Sequence, residues 1–183
     1  KKRFIKKLEF IDSSFCTTHP TSLNFKSHKN IFFIPNPVDE TFENLKIYSS
    51  KFYKYDLFFA LSHGVHRGTL KKGKNDNREF FLRDLYNKNS EIRFNLFGIN
   101  GNQPIWAENF RRELSKSKMA LNLSQGEPLK FYSSDRLAQL VGNGILTFVN
   151  LKTKLNKLFS KKEVVFYKDI KDLSKKINFY KNK

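Results

Sequence analysis

The sequence predicts an α/β fold, a Rossmann-like parallel sheet with helices on both faces, from three observations. Short apolar runs such as Asp56 to Leu61 and Ile145 to Val149 lack the polar alternation of a half-wetted strand, so both of their faces must be buried. Between these runs lie segments whose apolar residues recur at helical spacing. Turn-forming residues punctuate the junctions and give a βαβαβαβα order from about Tyr55 onward.

Ahead of that unit, Phe10 to Thr17 reads as a strand, Thr21 to Lys29 as a polar connection or short helix, and Ile31 to Ile34 as an apolar strand ended by Pro35. Pro35 and Pro37 fix φ on either side of Asn36 and bias the residues before them to extended geometry, so the chain leaves a sheet here as a linker. In the main unit, Asp56 to Leu61 is followed by a loop from Ser62 to Gly68 and a basic turn from Lys71 to Lys74. Phe80, Phe81, Leu82 and Leu85 then keep helical spacing behind a cap at Asp76 or Asn77. Arg93 to Phe97 is the next strand, and Asn100-Gly101-Asn102 leads to a helix whose apolar stripe is Trp106, Phe110 and Leu114. Met119 to Leu123 is a strand, Ser124 to Tyr132 a loop, and Ser134 to Val141 a helix stopped by Gly142-Asn143-Gly144. A strand from Ile145 to Val149, a short helix from Lys152 to Phe159, a strand from Val164 to Tyr167 and a helix from Ile170 to Tyr180 complete the alternation.

Lysine and arginine number 35 against 17 acidic residues, a net charge of +18 that attracts phosphates, nucleic acid or an anionic membrane without choosing among them. Biased codon usage explains such a composition equally well, with most lysines on solvated faces. Cys16 is the single cysteine, which excludes an internal disulfide framework and a cysteine zinc site and suits a reducing compartment. No apolar run approaches the ~20 residues of a bilayer span, and the stretch after Lys7 is too short for a signal peptide. The expectation is a cytoplasmic protein, with peripheral contact to the inner face of the membrane left open. Because the chain opens on Lys1 and closes on a Lys-rich stretch, both ends are expected to continue in a longer protein.

Ligands of open parallel sheets bind beyond the carboxyl ends of the strands, which makes the following loops the candidate site. The first loop offers Gly64 for close backbone approach and His66, Arg67 and Lys72 for a phosphate or sugar hydroxyl; a solvated basic loop is the plainer alternative. His63 and His66 are three apart, but zinc needs three or four ligands and no third is placed, so no metal is expected. The loop carrying Glu127 and Lys130 feeds the helix that opens with Ser133-Ser134-Asp135-Arg136. Free amides and the positive dipole end there suit a diphosphate, although a serine cap and the Asp135 charge satisfy a helix end by themselves. Arg136 in the first turn calls for an anion or a carboxylate. Gln139 lies on the same side of the helix as Asp135 and Arg136, with Leu137, Leu140 and Val141 on the other.

Three stretches together resemble the donor-binding core of group-1 glycosyltransferases of the GT-B type, nearest the spore-maturation subset. They are Met119-Ala-Leu-Asn-Leu-Ser, Ser134-Asp-Arg-Leu-Ala-Gln-Leu-Val-Gly-Asn-Gly144 and Ile145-Leu-Thr-Phe. The ending from Phe159 through Glu163, Tyr167 and Asp169 to Leu173 is similar to that subset, and Ile34-Pro-Asn-Pro-Val-Asp39 resembles the segment joining the two GT-B domains. The resemblance implies a C-terminal GT-B domain with a fragment of the N-terminal one: residues 1–34 end the acceptor-side domain, 35–54 form the linker, and 55–183 bind the nucleotide sugar. It implies transfer of a sugar from a nucleotide diphosphate to a hydroxyl of a glycan or lipid-linked acceptor, without metal or cofactor, the nucleotide sugar being a substrate. Arg136 would hold the diphosphate. Gln139 stands where the family commonly places a glutamate on the ribose hydroxyls, and the second acid of related enzymes, eight positions earlier, falls on Phe131. His66 is the one candidate for a catalytic role, and the chain alone is expected to bind a donor without transferring its sugar.

Two other readings stay open. A basic nucleic-acid-binding protein fits the charge, but the aromatic residues sit at core-like positions rather than among basic ones, so nucleic acid is not the expected partner. A non-catalytic GT-B-like binding domain fits Gln139 and Phe131.

Overall fold

The computed structural model describes residues 6–24, 30–61, 65–66, 69–70 and 77–183, with the side chains of residues 9, 65–66 and 69–70 left aside. Two short strands, β1 (Ser14–Cys16) and β2 (Ile31–Phe33), pair in parallel. After β3 (Tyr55–Ala60), the stretch read as a loop and a basic turn contains β4 (Val65–His66) and β5 (Thr69–Leu70), paired antiparallel. Then come β6 (Phe94–Phe97), β7 (Ser117–Asn122), β8 (Leu146–Asn150) and β9 (Val165–Tyr167). The helices are α1 (Asn77–Asn87), α2 (Ala107–Leu114), α3 (Asp135–Gly142) and α4 (Ile170–Lys181). Five of the strands form one parallel sheet in the order β6-β3-β7-β8-β9, the α/β class expected. The chain steps from β3 outward to β6 and then crosses back to β7, so its winding direction reverses between β3 and β7.

The apolar runs explain the layering. Successive side chains of β3 point to opposite faces: Leu57, Phe59 and Leu61 pack under α1 and α4, while Phe58 and Ala60 pack under α2 and α3. Phe58, Phe59 and Phe148 are wholly buried, each worth about 2–3 kcal/mol relative to exposure. Asp56, the one charge of β3, is buried at its amino end and meets the Arg93 guanidinium at 2.7 Å and the Arg93 backbone amide at 2.8 Å. Burial alone would raise the Asp56 carboxyl, but these bonds outweigh it and hold the group below the usual carboxylate range.

Several expectations are corrected. In α1 the buried residues are Arg78, Leu82 and Leu85, at i, i+4 and i+7, so Phe80 falls off that stripe and is exposed. The expected helix from Lys152 to Phe159 is two 3-10 turns, Leu151–Thr153 and Leu155–Lys157, separated by Lys154 at φ +57°. Asn150 sets the first turn by accepting from the Lys152 amide at 2.9 Å. The expected strand from Phe10 to Thr17 shrinks to β1, preceded by a 3-10 turn at Leu8–Phe10.

The stretch read as a linker is fastened along the end of α3. Leu45 donates its amide to Asn143 Oδ1 at 3.1 Å and Ile47 to the Asn143 carbonyl at 2.9 Å. A Cβ on Gly142 would lie 2.6 Å from Val38 Cγ1, and one on Gly144 2.5 Å from Tyr48 Cδ1. The Gly-Asn-Gly stop therefore also clears the path of residues 38–48.

Candidate functional site

Beyond the carboxyl ends of β3 and β7, where the winding reverses, opens a cleft of about 910 Å³, within the size range of small-ligand sites. Ala60 and Leu61 floor it, and Ser133 to Arg136 and Gln139 bring in the start of α3. Arg78 reaches it from α1. Phe42, Ile105, Trp106 and Phe110 make an apolar wall.

Arg136 sits at the reversal itself. Its Nη1 donates to the Leu123 carbonyl just past β7 at 2.8 Å, its Nη2 to the Ala60 carbonyl at the end of β3 at 3.0 Å, and its guanidinium lies 4.7 Å from the Phe59 ring centroid. No carboxylate of the described residues pairs with it. Burial, and after it the charge of Arg78, push its pKa down to about 10, with Tyr132 opposing. The group is still protonated at neutral pH, so the cleft holds a partly desolvated cation that, among the described residues, is met by two carbonyl dipoles and the Phe59 ring.

The two serines divide the work at the helix start. Ser134 is the cap: its Oγ accepts from the Leu137 amide at 3.3 Å. Ser133 is buried and committed to the flank, its amide donating to the Thr17 carbonyl at 2.8 Å and its Oγ accepting from the Asn36 amide at 3.1 Å. Asp135 is exposed at the rim, where its Oδ1 accepts from Asn36 Nδ2 at 2.7 Å. Gln139 lines the cleft, and its side-chain amide makes no hydrogen bond with the described residues.

Other expected residues lie elsewhere. Glu127 is exposed beside Lys152, at 3.9 Å, and Lys130 stands over the Phe131 ring; neither lines the cleft. His63, Gly64, Arg67 and Lys72 lie outside the described residues, and His66 is described only as a strand residue paired with Thr69. Phe131, where the resemblance looks for a second acid, packs 5.5 Å from both His19 and Phe33, ring centroid to centroid, and so joins β2 to the five-stranded sheet unit.

Arg78 and Trp106 are additions that the sequence reading left out of the site. Both open a helix that follows a strand, and in a parallel sheet such helices begin at the ligand-binding end. That signal was available. Phe42 and Asn36 carried none, since only the tertiary fold brings their segment to a helix 97 residues away.

Comparison with known proteins bears on what this cleft does. No curated protein and no solved structure matches the chain. Residues 75–183 match the family model described as glycosyl transferase-like, a span that starts just ahead of α1 and takes in Arg78, Trp106, Arg136 and Gln139. With more than half of its length inside that match, the chain belongs to the glycosyl transferase-like family, and sugar transfer is the activity against which its cleft is to be read.

Proposed function

We propose that the cleft binds a nucleotide-diphosphate sugar and that the chain is the donor-side part of a metal-independent GT-B enzyme of the group-1, spore-maturation type. The observation that carries this reading is Arg136: a partly buried guanidinium without a carboxylate among the described residues, at the reversal point of a parallel sheet, beside a second arginine. In sugar transfer the bond from the anomeric carbon to the diphosphate breaks as the acceptor oxygen bonds to that carbon, and negative charge gathers on the leaving diphosphate. A fixed cation at that point stabilises the departing group more than the bound substrate. The capped start of α3 adds its dipole from the same side. We assign the ribose hydroxyls to Gln139, which lines the cleft and whose amide offers both a donor and an acceptor. The acceptor is a hydroxyl of a glycan or lipid-linked sugar. The net charge of +18 suits work at the inner membrane face, and among the described residues no helix is long and apolar enough to cross a membrane.

Titration of the chain with UDP-, GDP- and ADP-sugars tests this. Saturable binding of one of them is expected, weakened on the order of 10- to 100-fold in Arg136→Ala, the range of a charge-assisted hydrogen bond. Indifference to all three donors, together with salt-sensitive RNA binding, would falsify the proposal.

A further inference from the structure

Trp106 is the only tryptophan of the chain. Helical spacing assigns it to one stripe with Phe110 and Leu114, yet it does not share their fate. Leu114 is fully buried and Phe110 packs edge-on against Phe58 at 5.2 Å, whereas α2 begins one residue after Trp106, whose side chain is 45% exposed at the cleft. The backbone turns sharply to achieve this: Trp106 is extended, and Ala107 follows at φ +48°, a left-handed conformation that is unfavourable for a non-glycine residue. No ring of the described residues stacks on the indole, and its neighbours along the wall are Phe42, Ile105 and Phe110.

The cleft thus has two chemically distinct parts. One is cationic, around Arg136 and Arg78; the other is lined by the aromatic rings of Phe42, Trp106 and Phe110, with Glu43 and Arg111 beside them. A planar heteroaromatic base can lay its whole face on an exposed indole while its polar edge reaches the neighbouring Glu43 and Arg111, whereas a puckered sugar ring makes a smaller contact with such a face. We infer that Trp106 is the stacking platform for the base of the donor nucleotide, with Phe42 and Phe110 completing the wall around it. The inference rests on the reading of the cleft as a nucleotide-sugar site and assigns the orientation of the ligand within it: diphosphate toward Arg136, base toward Trp106.

Because Trp106 is the sole tryptophan, intrinsic tryptophan emission of the whole chain reports on this residue alone. The probes are UDP, GDP and ADP, set against inorganic pyrophosphate, which carries the phosphates without a base. One nucleoside diphosphate is expected to quench the emission saturably, and pyrophosphate to compete with it without quenching. Trp106→Ala should weaken that nucleotide about tenfold, Trp106→Phe should recover most of the loss, and neither should alter pyrophosphate binding. A nucleotide that binds with unchanged emission, or with the same affinity in Trp106→Ala, overturns the assignment and leaves the cleft reading standing. Quenching that requires the intact nucleotide sugar also overturns it, by giving Trp106 to the sugar ring. If neither nucleotides nor pyrophosphate bind, the cleft reading fails and this inference with it.

Discussion

The five-stranded sheet and the β1–β2 pair are made of similar residues and end in opposite conditions. Phe58 and Phe59 on β3 are sealed from water, whereas Phe15 on β1 is 67% exposed and Phe32 on β2 47%, with their rings 5.8 Å apart. Strand composition is not what separates them. Each strand of the large sheet is joined to the next by a segment that folds back over it, and α1 with α4 on one face and α2 with α3 on the other supply the cover. Between β1 and β2 the described connection is a 3-10 turn at Pro20–Leu23, too short to cover a face. The small pair is held from the side, by the Ser133 amide on the Thr17 carbonyl and by Phe131 wedged between His19 and Phe33. In the large sheet a parallel strand is thus buried by its crossover, while Phe15 and Phe32 of the small pair remain at the surface.

The contrast can be broken most severely at Gly98, which follows β6 at φ +73° with its missing Cβ position only 1.8 Å from the Leu61 carbonyl oxygen. Gly98→Ala has to move one strand end away from the other, and a loss of about 3–4 kcal/mol is expected in urea unfolding. A loss below about 1 kcal/mol would mean that the two strand ends are not held as rigidly as their spacing requires.

A middling effect is expected at Asp56. Because its folded pKa lies below the ordinary carboxylate value, its contribution is fully present above that value and is lost as pH falls through the folded pKa. Asp56→Ala should cost about 2–3 kcal/mol at neutral pH and flatten the acid limb of the stability profile. An unchanged acid limb in the variant would remove Asp56 from that role.

The smallest effect belongs to the pair. Phe15→Ser should change stability by no more than about 0.5 kcal/mol, since the ring is already wet. A thermal melt that dropped as far as one expected for a core phenylalanine would show that this face is covered after all.

Much of this architecture is legible in the sequence, because apolar strands and amphipathic helices are local patterns. β3, β7, β8, β9, α3 and α4 lie within a residue or two of where periodicity puts them. Where local patterns mislead, a neighbour has intervened: Asn150 turns the expected helix after β8 into 3-10 turns, and α1 buries Arg78 in place of Phe80. The site is legible in part. Arg136 and Gln139 do line the cleft, and Ser134 rather than Ser133 is the cap. The choice between the serines was out of reach, because Asn36 and Thr17, which occupy Ser133, come from a part of the chain whose placement no local signal specifies.

The Gly142-Asn143-Gly144 turn also couples two distant parts of the chain. Asn143 receives the amide of Leu45 across 98 residues of sequence, and its receiving atoms exist in the right place only once α3 has formed and stopped. Any change that displaces the end of α3 therefore also unfastens residues 38–48, although 98 residues of sequence separate the two partners.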